Sequence, residues 1–219
     1  MGFRSRVVTG LLASTLSLSG GAALAAQDAT PEATPVVGEI VTVNLTDVNG
    51  EIVGSASFSE STTGVTITVQ STSGGAGSGL EPGLHGLHIH VTGACDPSGE
   101  TPFESAGGHF NPTGAPHGDL EDPDSHAGDL GNIEVDETGG FGLDIVTAKI
   151  TLEPGAENSL ADADGSAIVI HAGEDDLMTD PSGESGDRLA CGVIFAPEAS
   201  GETGAADGSD ATPEATPVS

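Results

Sequence analysis

Basic side chains are nearly missing from this sequence. Its 219 residues hold four Lys and Arg against 34 Asp and Glu, a formal charge of −30. Tryptophan and tyrosine are absent, and only six phenylalanines occur. A chain so acidic has nothing with which to neutralise phosphates, which excludes nucleic acid as a partner and, for the same reason, an anionic membrane surface. No stretch carries a convincing helical period. The one apolar run, within residues 7–25, is short and interrupted by Ser, Thr and Gly, so no integral membrane segment is expected in the mature chain. Cysteine is limited to Cys95 and Cys191.

That apolar run follows MGFRSR and ends on Ala23-Leu24-Ala25, a small-x-small pattern. Residues 1–25 therefore read as a signal peptide and the protein as exported: periplasmic, extracellular or cell-surface associated. Loss of Arg4 and Arg6 with this segment, and of no acid, takes the formal charge from −30 to −32 and leaves Lys149 and Arg188 as the only Lys or Arg. In an exported protein, two cysteines far apart in sequence read as one disulfide.

The octapeptide ATPEATPV occurs at 29–36 and again at 211–218. Rich in Pro and Thr and lacking a core pattern, it predicts disordered flanks: a linker over 26–37 and an acidic tail over 198–219. Between them, residues 38–197 are long enough for one domain. Its pattern is β. Val41, Val43 and Leu45 alternate with polar residues, Asn49-Gly50 marks a hairpin turn, and Val65, Ile67 and Val69 alternate with Thr66, Thr68 and Gln70. Further strand-like runs fall at 84–91, 131–136, 140–147, 166–171 and 190–195. About eight short strands make an all-β sandwich or barrel. Residues 92–130 and 172–189 have turn composition, and loops of that length inside a domain are usually functional.

The seven histidines gather around those loops. His88 and His90, in HGLHIH, lie one pleat apart on one strand face, whereas His85 points to the other. His171 ends another strand, so three imidazoles from a rigid sheet suit copper or zinc. His117, His126 and Asp129 share one loop, and three such ligands suit a tetrahedral zinc site that still needs a fourth. His109 is the histidine left near that loop. His85 reads as a structural, hydrogen-bonded core histidine.

GLHGLHIH at 83–90, GGHFNP at 107–112, HAGDLGN at 126–132 and GDRLACGVI at 186–194 together resemble the copper/zinc superoxide dismutases, over about residues 39–196 and in the manner of secreted bacterial members. The resemblance implies an eight-stranded Greek-key β-sandwich or barrel and conversion of superoxide to oxygen and hydrogen peroxide, an antioxidant oxidoreductase activity. It implies copper on His88, His90, His109 and His171, and zinc on His109, His117, His126 and Asp129, with His109 bridging the two. It further implies a Cys95–Cys191 disulfide, Arg188 orienting superoxide, and Asp175 linking a copper-side to a zinc-side histidine from behind.

The sequence departs from that pattern in places. Leu87 stands where many members have Phe, a mild core change. The Cys95–His109 segment is longer than in compact members. Family members commonly place lysines around the rim, but residues 172–188 here carry Glu174, Asp175, Asp176, Asp180, Glu184 and Asp187 against Arg188 alone. A non-catalytic copper-binding or copper-buffering relative is therefore the alternative reading. Retention of Arg188 speaks against it, because storage needs no anion-orienting arginine. A structural module defined by its tails would have no use for the ligand set. The sequence leaves monomer and homodimer both open.

Overall fold

The computed structural model describes residues 38, 40–72 and 80–198. The expected signal peptide lies outside the described residues, as does the repeated octapeptide with nearly all of both flanks. Eight strands make up the domain: β1 (Ile40–Asp47), β2 (Ile52–Ser61), β3 (Gly64–Ser71), β4 (Gly83–His90), β5 (Asp129–Val135), β6 (Gly142–Thr147), β7 (Ser166–His171) and β8 (Arg188–Phe195). All pairings are antiparallel, in the order β5-β4-β7-β8-β1-β2-β3-β6. The end strands β5 and β6 approach one another, so the sheet forms a nearly closed barrel. The β3–β4, β5–β6 and β6–β7 connections join strands that are not neighbours, which gives the Greek-key order. Among the described residues no helix is long and apolar enough to cross a membrane.

Period-two alternation decides which face fills the barrel. Val43, Leu45, Ala56, Phe58, Val65, Ile67 and Val69 point inward from β1–β3, and Leu87, Ile89, Ile133, Ile168 and Ile170 complete the core. Each fully buried aliphatic or aromatic side chain of this size stabilises by about 1.5–3 kcal/mol relative to exposure. Strands β4 and β7 differ from the rest. The last six residues of β4 and all six of β7 are buried, so both faces are covered. The inner face is barrel core, and the outer face lies beneath the two long loops. His88 and His90 stand on that outer face, where they pair in register with Val169 and Ala167.

The expected strands are present with shifted ends. The turn composition of 92–130 and 172–189 places Asp129 and Arg188 in loops, but each is the first residue of a strand. Asp129 pairs with His88, and Arg188 with His171, each next to a register shift. Ladder pairing with a histidine-bearing strand extends β5 and β8 past their apolar patterns. The first loop also carries a 3₁₀ turn at Glu104–Ala106.

Candidate metal centre

Strand β4 supplies His88 and His90, and the end of β7 supplies His171 beside them. The chain then reverses so that His109 forms an isolated β-bridge with His90. Potential ligand atoms of His88, His90, His109 and His171 all lie within 4.8 Å of one another, and all four residues are buried. A second set, His88, His109, His117 and Asp129, meets the same limit. His126 falls outside that mutual set but still reaches it, with Nδ1 3.1 Å from Asp129 Oδ1. The two groups share His88 and His109, whose rings stack with 3.9 Å between centroids.

The proton positions follow from the acceptors. His90 Nδ1 donates to Gly107 O at 2.9 Å, and His171 Nδ1 donates to Gly186 O at 3.1 Å. A neutral imidazole carries one N–H, so both Nε2 atoms bear lone pairs. Those two atoms face each other at 3.4 Å. Asp175 receives His88 Nε2–H on Oδ2 at 2.7 Å and His117 Nε2–H on Oδ1 at 2.9 Å. The bare nitrogens of these two rings, both Nδ1, are buried without a hydrogen-bond partner, as is His109 Nε2. His109, His117 and His126 all bring Nδ1 to 2.8–3.1 Å from Asp129 Oδ1. His117 has no proton to offer there. Buried polar groups ordinarily find partners, so lone pairs facing lone pairs and a carboxylate oxygen fit a cation, with neutral imidazoles as donors.

Burial favours the neutral form of the four copper-side imidazoles, His88, His90, His109 and His171. Loss of solvent holds His88 and His90 well below the usual histidine range, and neighbouring histidines push the same way. His171 is brought down to about 4, chiefly by burial. His109 is also lowered by burial, with Asp129 opposing. Burial works to raise the Asp129 carboxyl, but hydrogen bonds from His109 and from Gly118 N outweigh it and leave it lowered. Neutral imidazole and ionised carboxylate are the forms that bind metals.

The remaining expected residues also gather here. Cys95 and Cys191 form a disulfide with a Cα–Cα distance of 5.7 Å, closing a sequence separation of 96. Closure of so long a loop stabilises by about 4–5 kcal/mol in the chain-entropy model. Arg188 donates through Nη2 to Gly107 O at 2.6 Å and through Nη1 to Phe103 O. Gly107 O thus accepts from both Arg188 and His90. Among the described residues no carboxylate forms an ion pair with Arg188. His85 lies on the barrel side, Nδ1 2.7 Å from His171 O and Nε2 2.8 Å from Glu81 O, and so tethers the backbone of His171.

Residues 52–194 match the family model for copper/zinc superoxide dismutase. The chain belongs to the copper/zinc superoxide dismutase family. It is 41% identical over 151 residues to a copper/zinc superoxide dismutase of Aquifex aeolicus, covering 68% of this chain and 83% of that one. It is 38% identical over 203 residues to the Deinococcus radiodurans copper/zinc superoxide dismutase, covering 89% and 98%. The crystal structure of a superoxide dismutase-like protein from Bacillus subtilis superposes with a TM-score of 0.60 at 38% identity, covering 70% and 97%. In a copper/zinc superoxide dismutase fold, the two histidine groups are compatible with copper and zinc binding.

Several supporting residues were not expected. Asn132 donates through Nδ2 to Asp175 O at 2.9 Å and accepts from Asp175 N at 2.8 Å, which fixes the backbone that carries the bridging carboxylate. Asp180 Oδ1 accepts from His117 N at 2.7 Å. Lys149 Nζ donates to Asp122 O and Ser125 Oγ, pinning the loop that carries His126. Asn132 lies inside HAGDLGN and could have been suspected there. The carbonyls of Phe103 and Gly107 leave no mark in side-chain chemistry. Of the six acids in 172–188, Asp175 is buried and the other five are exposed.

Proposed function

We propose that this is an exported superoxide dismutase, with residues 1–25 as its leader and 38–197 as its catalytic domain between the flanks 26–37 and 198–219. The observation that carries the reading is the pair of buried donor clusters joined at His109, with bare nitrogens on both sides. Copper would be held by His88 Nδ1 and by Nε2 of His90, His109 and His171. Zinc would be held by Nδ1 of His109, His117 and His126, with Asp129. Bound copper supplies one-electron chemistry, and the net reaction turns two superoxide anions and two protons into oxygen and hydrogen peroxide.

The chain's own residues place the substrate and the proton. Arg188 spends two of its five N–H donors on carbonyls and keeps the others for an oxygen anion, its charge uncancelled by an ion pair. His109 Nε2 is a buried nitrogen where a proton can wait, while Asp129 fixes Nδ1 of the same ring. Asp175 and the Gly107 and Gly186 carbonyls lock the other tautomers, so the donors are set before substrate arrives. Export is supported by the disulfide.

Five exposed acids around the 172–188 segment favour a second reading, a copper-buffering relative that does not turn over, and a relative is itself described only as superoxide dismutase-like. Metal content separates the two halves of the centre. His90→Ala should abolish dismutation and lower bound copper with zinc retained, whereas Asp129→Ala should release zinc and lower thermal stability. Wild-type activity in His90→Ala would overturn the copper assignment.

A further inference from the structure

We propose that Phe103 is a positioning residue for Arg188: its buried ring and left-handed backbone aim a main-chain carbonyl at the guanidinium. This inference rests on the reading of Arg188 as the group that meets the anion.

Phe103 is 1% exposed and sits at φ 60°, ψ 15°. A left-handed conformation is rare for a bulky residue and persists only where the surroundings over-determine it. Here they do. The Phe103 ring packs with Ala106, Ala167, Val169 and the Cys95–Cys191 disulfide in a small apolar cluster separate from the barrel core. Phe103 N donates to Asp96 O at 2.8 Å, closing the loop just after Cys95. Phe103 O then accepts from Ala106 N at 3.1 Å and from Arg188 Nη1.

The guanidinium therefore hangs on two carbonyls four residues apart, Phe103 O and Gly107 O. Gly107 also binds His90, so it is fixed by the ligand set. Phe103 O has no such tie to the ligand set. It belongs to a local turn, bonded by Ala106 N and closed by the Phe103 N–Asp96 O bond, and that turn is pinned to the sheet by the ring's burial against β7, β8 and the disulfide. Arg188 lies three residues before Cys191 on β8, so one apolar plug registers the loop against the strand that presents the arginine. With the ring removed, the left-handed turn loses what over-determines it. The carbonyl can then swing away, and Arg188 keeps one anchor and gains rotational freedom.

The test reads Arg188 directly. In 15N-labelled full-length protein, Arg188→Lys identifies the guanidinium resonance, since the other arginines are Arg4 and Arg6. Phe103→Ala should speed exchange of the Arg188 Nη protons with water by about tenfold, as expected for loss of a hydrogen bond to a charged group. Backbone amides of β7 and β8 should keep wild-type protection. In the copper- and zinc-loaded protein, azide should bind about fivefold more weakly, read by visible absorption. Should Phe103→Ala fail to fold, Phe103→Leu carries the test with an expected change of about twofold. Unchanged guanidinium exchange and azide affinity in a folded variant would overturn the proposal. A wild-type protein that loads copper without turning over would instead count against the enzymatic reading, and guanidinium exchange would still decide the role of Phe103.

Discussion

Replacing Asp175 by asparagine preserves shape and removes one acceptor, so it isolates what the buried carboxylate does. Asp175 Oδ1 accepts from His117 Nε2 at 2.9 Å and from Leu177 N at 2.7 Å, and Oδ2 accepts from His88 Nε2 at 2.7 Å. An asparagine has one carbonyl oxygen. Placed at the Oδ1 position it keeps two donors satisfied, and its amide then confronts the His88 N–H. The reverse orientation abandons two donors to keep one. The asparagine should therefore settle with its oxygen toward His117 and cut His88 loose. Hydrogen bonds to charged acceptors contribute about 1.5–3 kcal/mol, and one of the two histidine bonds is lost while the other becomes neutral, so the metal-free protein should lose about 2–4 kcal/mol. His88 can also restore a bond to the amide by moving its proton to Nδ1, which blocks the nitrogen aimed at the copper side. Copper affinity should fall by about 10–100-fold and zinc affinity by less. Competition against chelators of known affinity measures both. A loss confined to zinc, or no loss beyond twofold for either metal, would refute this account of the bridge.

A Cβ on Gly183 would lie 1.8 Å from Asp175 Oδ1 and 2.7 Å from His117 Nε2, at φ +64°. Gly183→Ala should thus break the same bridge from the His117 side, and zinc retention should fall further than copper retention in the chelator assay. Acid should destabilise the metal-free protein. The folded-state values of His88, His90 and His171 lie below the unfolded value near 6.5, so the unfolded chain takes up more protons as pH drops. Their stabilising effect is complete above about pH 6.5 and is lost as pH falls below it; for His171, brought down to about 4, the loss runs to about pH 4 and accounts for about 3 kcal/mol. Denaturant midpoints between pH 7 and 4.5 test this, and a midpoint that holds steady or rises would contradict it. Superoxide approaching a chain of formal charge −30 is repelled at long range. The Debye length is about 10 Å at 0.1 M salt, so added salt should screen distant acids more than Arg188 close by. The rate constant for dismutation should stay flat or rise with ionic strength, and a steep fall would reveal a positive funnel.

The sequence made most of the centre legible because metal ligation needs particular side chains at particular spacings. His88 and His90 share a face through the pleat, and Cys95 with Cys191 needed only their rarity and the expectation of export. Asp129 and Arg188 were misplaced into loops because strand ends are set by pairing with His88 and His171, which composition does not record. Asn132 and Lys149 look like ordinary surface polar residues until the loops they tie are seen folded. The hold on Arg188 comes from main-chain oxygens, and any residue could have supplied those. Asp175 stood out among its acidic neighbours through the resemblance alone; the fold separates it from Glu174 and Asp176 by burying it and leaving them in solvent.

The enzymatic reading stands or falls on turnover by protein whose metals are in place. Full-length protein loaded with copper and zinc, its content verified by elemental analysis, should speed superoxide decay under pulse radiolysis well beyond free-solution dismutation, and Arg188→Glu should lower that rate sharply at unchanged metal content. Full copper occupancy with no acceleration, and no response to Arg188→Glu, would contradict it and leave a copper-binding protein that keeps the dismutase fold.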